Sequence, residues 1–179
     1  MCAEIEAKLK VQSLEPIETK LKELGAEFIA EQKQTDFYFD DADSDLLKSD
    51  RCLRVRLQAV GSDETIFLTY KGAKEKGRFK KRKEIEVEVK DSDSVEKLLS
   101  ELGYEKAIVI EKKRRIWRFG ECEVALDQLP QLGSFVEIEG PDEEKVAKVQ
   151  VSLDLADLPH ISSGYAVLTR EKLRQAAKE

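Results

Sequence analysis

The sequence predicts an α+β fold: an eight-stranded antiparallel β-barrel with helices packed outside it, built from two similar halves. The triplet Glu-Ile-Glu occurs at positions 4–6, 84–86 and 137–139, each time in a run that alternates charged and apolar residues. Successive side chains of a strand point to opposite faces, so each run places its charges on one face. Two of these runs are followed by segments with helical spacing, which completes the α+β pattern.

The first run alternates most clearly. Glu4, Glu6, Lys8 and Lys10 share one face, and aliphatic residues occupy the positions between them. An ordinary antiparallel sheet would simply turn such a face toward solvent. Several strands with charged faces, covered by helices on their apolar side, instead favour a barrel with a charged interior.

The two helical segments indicate an internal duplication. They cover residues 13–24 and 93–102, and they end at Gly25 and Gly103. Glu4 and Glu84, in the strands before them, are separated by nearly the same interval as these two glycines. No linker divides the halves, so a single domain over residues 1–179 is predicted, with a last helix over residues 164–178.

The remaining strands sort their charges by sign. Arginine and lysine dominate those near residues 53–57, 69–71, 80–82 and 112–114, whereas acids dominate those near 121–127 and 137–139. Unpaired burial of these charges would cost several kcal/mol each, roughly. A polyphosphate with a divalent metal satisfies both signs, because guanidinium groups bind phosphate oxygens and carboxylates suit Mg²⁺ or Mn²⁺. No Walker A motif is present, so the sequence excludes a P-loop nucleotide-binding site.

Composition narrows the class further. With 31 basic and 37 acidic residues the net charge is −6, which is not typical of a nucleic-acid-binding protein. Three cysteines without paired spacing indicate neither a disulfide framework nor a zinc site. No run is long and apolar enough to cross a membrane, and a cytoplasmic location is expected.

Several blocks of the chain resemble the CYTH, or triphosphate tunnel metalloenzyme, superfamily. Glu4-Ile5-Glu6-Ala7-Lys8 is similar to its E-x-E-x-K signature. Further similar blocks follow in the family's order: residues 34–40, 53–56, 69–72, 80–86, 112–117, 126–127 and 132–139. The resemblance implies an eight-stranded antiparallel tunnel that binds triphosphates with Mg²⁺ or Mn²⁺.

The resemblance also implies roles for individual residues. The implied metal ligands are Glu4, Glu6, Glu86, Asp127, Glu137 and Glu139. The implied phosphate-binding residues are Lys10, Arg54, Arg56, Lys71, Lys80, Arg82, Lys112 and Arg114. The implied catalytic residues are Lys8 and Tyr38; Lys8 either activates water together with Tyr38 or only binds phosphate.

The blocks are most similar to the class IV adenylyl cyclase, or CyaB-type, branch. This implies conversion of ATP to cyclic AMP and pyrophosphate. An inorganic or thiamine triphosphatase is the alternative, with tripolyphosphate or thiamine triphosphate as substrate. A non-catalytic polyphosphate or nucleotide sensor is a third reading, although it would be expected to lack one of the carboxylates. Neither a nucleic acid nor a membrane is expected as a partner, and the sequence is compatible with a homodimer.

Overall fold

The protein is represented by a computed structural model, which describes residues 4–43, 45–73 and 80–177. Within these residues the chain forms nine strands and five helices. The strands are β1 (Glu4–Val11), β2 (Glu27–Asp41), β3 (Cys52–Val60), β4 (Asp63–Lys71), β5 (Lys80–Arg82), β6 (Glu84–Val89), β7 (Tyr104–Phe119), β8 (Cys122–Leu129) and β9 (Gly133–Gly140). The helices are α1 (Glu15–Glu23), α2 (Asp45–Lys48), α3 (Ser92–Glu101), α4 (Glu143–Ser152) and α5 (Tyr165–Ala176).

The strands form an antiparallel sheet in the hydrogen-bonded order β5-β1-β9-β8-β7-β2-β3-β4-β6. This confirms the α+β class and the eight predicted strands, to which β5 adds three residues. The order has two ends, β5 and β6, so the described residues form an open sheet and the predicted closure into a barrel is not found in them. Alternation fixes which side chains share a face, but it carries no information on whether two edges meet.

Two compact units divide the chain. Unit 1 contains Met1–Gln32, Glu75–Lys81 and Lys112–Ser162, and unit 2 contains Lys33–Lys74, Arg82–Glu111 and Ser163–Glu179. Strands β2 and β7 each contribute one part to each unit. Neither unit is a continuous segment, and a single domain over residues 1–179 stays a prediction.

The registers support the predicted duplication and correct its alignment. In unit 1 the strand order is β1-β9-β8-β7, and in unit 2 the matching order is β6-β4-β3-β2. Arg114 pairs with Asp127 on β8, and Asp36 pairs with Arg56 on β3; Asp36 precedes Arg114 by the same interval that separates Gly25 from Gly103. The strand registers extend this correspondence from β7 and β2 to the outer strands of each unit. Six pairs of positions, the first in unit 1 and the second in unit 2, are then equivalent: Arg114 and Asp36, Asp127 and Arg56, Glu137 and Thr69, Glu139 and Lys71, Lys8 and Glu86, Glu6 and Glu84.

The corrected alignment therefore has the same offset in the outer strands as in the helices. Glu84 corresponds to Glu6, and the match of Glu84 with Glu4 was wrong because it was displaced along the strand to the next position on the same face. At four of the six positions one half carries an acid where the other carries a base. The duplication thus preserves strand positions while reversing much of the charge.

The core of unit 1 lies on the apolar face of its strands, under two helices. Leu9 of β1 and Val136 of β9 are fully buried, and Leu21 of α1 and Val146 of α4 cover them. Helix α1 begins at Glu15, with Leu14 as its N-cap, so it is shorter than the predicted segment 13–24. Helix α4 was not predicted; its buried valines complete this core. No helix in the described residues combines the length and apolar character needed to cross a bilayer.

Leu21→Ala is expected to lower the free energy of unfolding by about 2–5 kcal/mol, because it leaves a cavity under a fully buried side chain. Urea denaturation measures this change. Leu24→Ala, at the end of the same helix with 42% of its surface exposed, is the matched control and should change stability by no more than about 0.5 kcal/mol. Equal effects of the two variants would place Leu21 outside the core.

Candidate functional site

The charged face of unit 1 is organised around the carboxylate of Asp127. This side chain on β8 is completely buried, and Arg114 on β7, directly opposite, donates to it through Nε at 2.6 Å and Nη2 at 2.5 Å. Lys112 Nζ lies 3.5 Å from Asp127 Oδ2. Burial raises the pKa of Asp127, but Arg114 and Lys112 outweigh it and leave that pKa below its usual value. Asp127 is thus an ionised counterion that fixes two cations.

Lys8 lies on the same face, in a pair with Glu137. Lys8 Nζ is 3.0 Å from Glu137 Oε1, the lysine side chain is 4% exposed, and the two residues are directly opposite in the register. Arg114 Nη2 also donates to Glu137 Oε2. The backbone carbonyl of Lys8 accepts from Ile161 N at 2.8 Å. Lys8 is therefore held as an ammonium group, and Glu137 already neutralises two cations.

A row of three carboxylates crosses the outer end of this face. Glu6 on β1 is directly opposite Glu139 on β9, which in turn is opposite Glu123 on β8. Like charges in opposite positions of neighbouring strands destabilise a sheet. A divalent cation would relieve this repulsion, and an all-oxygen donor set suits Mg²⁺ or Mn²⁺. Glu123 was not among the predicted ligands. The sequence does indicate its position, because Glu123 precedes Asp127 by four residues on β8 and the two side chains therefore share a face.

Glu6, Glu139 and Glu123 suit a metal ion because all three offer carboxylate oxygens from directly opposite positions on neighbouring strands. No three histidine, cysteine or acidic side chains of the described residues are already gathered in a metal-binding group. Glu139 and Glu123 are exposed and Glu6 is partly buried, so their side chains have room to rotate. The side chain of Glu4 lies outside the described residues. Glu6, Glu139 and Glu123 would hold the ion, and Asp127 is positioned as a counterion of arginine instead.

Unit 2 carries a second charged cluster around Asp36 of β2. Asp36 is 1% exposed and accepts from Arg56 of β3 through Nε at 2.6 Å and Nη2 at 2.8 Å. Arg54 Nη1 lies 3.6 Å from Asp36 Oδ2. Burial disfavours the charged form of Arg54, yet Asp36 raises the pKa of this arginine above its usual value. Asp36, the acid that contacts both arginines, was not among the predicted site residues.

Glu86, predicted as a metal ligand, lies beside cations. It accepts from Thr69 Oγ1 at 2.8 Å and lies 3.6 Å from Arg54 Nη2, which donates to Thr69 at 3.2 Å. Lys71 and Glu84, directly opposite, form an ion pair at 2.5 Å. Lys71 occupies the position equivalent to Glu139 of unit 1, so an ammonium group stands in unit 2 where unit 1 has a carboxylate.

The other predicted residues occupy varied environments. Tyr38 is partly buried in unit 2; burial and the charge of Asp36 raise its pKa, so it is a neutral phenol at neutral pH. Lys10 is exposed, with Nζ 5.8 Å from the centre of the Phe135 ring. Arg82 ends β5 and is partly buried, and the side chain of Lys80 lies outside the described residues.

Comparison with known proteins identifies the family. The CYTH domain matches residues 3–165. The chain belongs to the CYTH family. A provisionally named adenylate cyclase of Methanocaldococcus jannaschii is 35% identical over 76% of this chain and 75% of its own. Adenylate cyclase CyaB of Aeromonas hydrophila is 29% identical over 75% of this chain and 67% of its own.

A solved structure confirms the fold of this CYTH chain. The PH1819 protein of Pyrococcus horikoshii is 30% identical, with a TM-score of 0.83 over 94% of this chain and 99% of that one. The predicted family and the predicted similarity to the CyaB-type branch are thus confirmed.

Proposed function

We propose that this CYTH protein is a metal-dependent enzyme that acts on triphosphates, and that it converts ATP to cyclic AMP and pyrophosphate. The observation that supports triphosphate binding is an arginine held by a buried aspartate through Nε and Nη2, a contact present in each unit. In both, the aspartate binds Nε and Nη2 and leaves the Nη1 donors directed elsewhere. Guanidinium groups fixed in this way suit phosphate oxygens.

The proposed reaction needs an attacking oxygen, a leaving group and compensation of charge. The 3′-oxygen of the ribose gives its proton to water and forms a bond to the α-phosphorus. The bond from that phosphorus to the bridging oxygen of pyrophosphate breaks, and its electron pair leaves with pyrophosphate. A bound Mg²⁺ or Mn²⁺ would neutralise phosphate charge during this transfer. Within the cluster that binds the substrate, the arginine and lysine side chains would orient the phosphate groups and stabilise the charge on them.

For Lys8 we favour phosphate binding over proton abstraction. An ammonium group paired with Glu137 at 3.0 Å is poorly suited to accept a proton, but it can donate to a phosphate oxygen. The raised pKa of Tyr38 likewise favours a hydroxyl that donates a hydrogen bond over a phenolate base. The same groups could serve a triphosphatase, in which water attacks the terminal phosphorus. The cyclase is preferred because this chain is similar to proteins named adenylate cyclase.

A product assay tests the proposed function. The purified protein is incubated with ATP, thiamine triphosphate and tripolyphosphate in parallel, with Mg²⁺, Mn²⁺ or a chelator, and the products are separated by ion-exchange chromatography. Cyclic AMP with equimolar pyrophosphate is the expected result. Orthophosphate without cyclic nucleotide would replace the cyclase by a triphosphatase, and metal-dependent binding without turnover would favour a sensor.

Lys8→Met is expected to lower kcat about 100-fold, which is typical for the loss of one charged donor to a transition state. Lys8→Arg should restore part of the activity, because it keeps a cationic donor. The measurement is the pH profile of kcat for the wild type and Lys8→Arg. An ascending, low-pH limb that is the same in both proteins supports phosphate binding, whereas loss of that limb or its displacement to much higher pH in the arginine variant would show that Lys8 is the base.

A further inference from the structure

Asp36 has the surroundings of a residue that acts through its neighbours. It is 1% exposed, and its two carboxylate oxygens face the guanidinium of Arg56, at 2.6 and 2.8 Å. The second oxygen also lies 3.6 Å from Arg54 Nη1. One carboxylate thus contacts two arginines that are two residues apart on β3 and therefore share a face. A buried acid in this position is in contact with cations rather than with solvent.

The hydrogen bonds of Arg56 show which donors remain for a ligand. A guanidinium has five N–H donors: one on Nε and two on each Nη nitrogen. Asp36 takes the Nε donor and one donor of Nη2. The end of the fork formed by Nη1 and the second Nη2 hydrogen points away from Asp36, and this end has the geometry for two bonds to one phosphate group.

Arg54 is fixed by a different set of contacts. Its Nη2 donates to Thr69 at 3.2 Å and lies 3.6 Å from Glu86, while Nη1 faces Asp36. The side chain is 6% exposed, so the ion pair with Asp36 compensates for much of the cost of burying its charge. Removing the Asp36 carboxylate would therefore release Arg56 and leave Arg54 less well compensated.

The same arrangement occurs at the equivalent positions of unit 1, with the acid and the arginine exchanged. There Asp127 holds Arg114 through the same two nitrogens, although the acid lies on β8 instead of β2 and the arginine on β7 instead of β3. The charges of the pair are exchanged between the strands, but the contact is the same. What the two units share is an arginine held through Nε and Nη2 by a buried aspartate, whichever strand carries the acid.

We propose that Asp36 is a positioning residue that sets Arg56, and secondarily Arg54, in the orientation that binds a phosphate group of the substrate. The inference rests on the proposed function, since it requires a phosphate ligand. Asp36 acts through the arginines and does not contact the ligand. Most of its effect should therefore disappear when Arg56 is absent, and the remainder should come from Arg54.

A double-mutant cycle with tripolyphosphate as the probe tests this dependence. The dissociation constant is measured by titration calorimetry with Mg²⁺ for the wild type, Asp36→Asn, Arg56→Met and the double variant, below the unfolding temperature of each. Asp36→Asn should weaken binding about 10-fold, and Arg56→Met about 30-fold. The double variant should bind within about twofold of Arg56→Met, because the two changes remove one interaction.

Asp63→Asn is the matched control, an exposed aspartate in β4 of the same unit, and it should bind like the wild type. Additive effects in the cycle, or wild-type binding by Asp36→Asn or by Arg56→Met, would overturn the inference. If Asp36→Asn does not fold, Asp36→Glu takes its place: it keeps the charge but displaces it, so it should weaken binding two- to fivefold, roughly, and show the same coupling to Arg56→Met.

The outcomes separate the inference from the function. A wild-type protein that binds no tripolyphosphate in the presence of metal contradicts the proposed function, whatever the variants do. Binding by the wild type without coupling between Asp36 and Arg56 contradicts only the positioning role.

Discussion

Asp127→Asn is expected to lower the free energy of unfolding at neutral pH by about 3–5 kcal/mol. The carboxylate is completely buried between Arg114 and Lys112, and the side chain of Lys112 is itself 2% exposed. Asparagine has nearly the same shape but no charge, so it removes the buried negative charge that compensates both Arg114 and Lys112. Urea denaturation of both proteins measures the difference, with Asp157→Asn as the control at an exposed position.

The effect should also depend on pH in a defined direction. The pKa of Asp127 is lowered in the folded protein, so its contribution to stability is complete above the pKa of the unfolded state, about 3.9, and is lost as the pH falls through the folded value. The difference between wild type and Asp127→Asn should therefore shrink below about pH 4. A difference that is small at neutral pH would instead favour the original assignment of Asp127 as a metal ligand, because removing a carboxylate from an acidic metal site relieves repulsion.

The elements of the fold were largely predictable, whereas their connections were not. The alternation of charged and apolar residues identified the strands and their charged faces, because successive side chains of a strand point to opposite faces. Strand order and register depend on which edges pair, and a match of Glu4 with Glu84 looked as good as the correct match of Glu6 with Glu84. Helix α4 was not predicted because it is rich in valine, including Val146 and Val149, and β-branched residues favour strands over helices.

The charged faces were predictable as far as alternation reaches. Alternation placed the cations of β3 on one face of that strand and the cations of β7 on one face of theirs, as the registers show. The roles of Asp36 and Asp127 depend on the arginine directly opposite each of them, and such a partner follows from register rather than from spacing. Asp36 and Arg56 lie on different strands, and only the pairing of β2 with β3 brings their side chains together.

Glu139→Gln should have opposite effects on activity and stability. Glu139 lies between Glu6 and Glu123 in the row of carboxylates, so removing its charge relieves repulsion on both sides and should raise the free energy of unfolding by about 0.2–1 kcal/mol. If the row holds the metal, the same change removes a ligand from an ion that contributes several kcal/mol to the transition state, and kcat should fall by about 1,000-fold.

Turnover with saturating substrate at increasing Mn²⁺ concentrations, together with urea denaturation without metal, measures both effects on one preparation. Glu64→Gln, an exposed glutamate opposite Ala59 in unit 2, is the control and should leave both unchanged. The combination of higher stability and lower activity is specific to a ligand row. Lower stability would show that Glu139 supports the fold, and full metal-dependent turnover would remove it from the metal site.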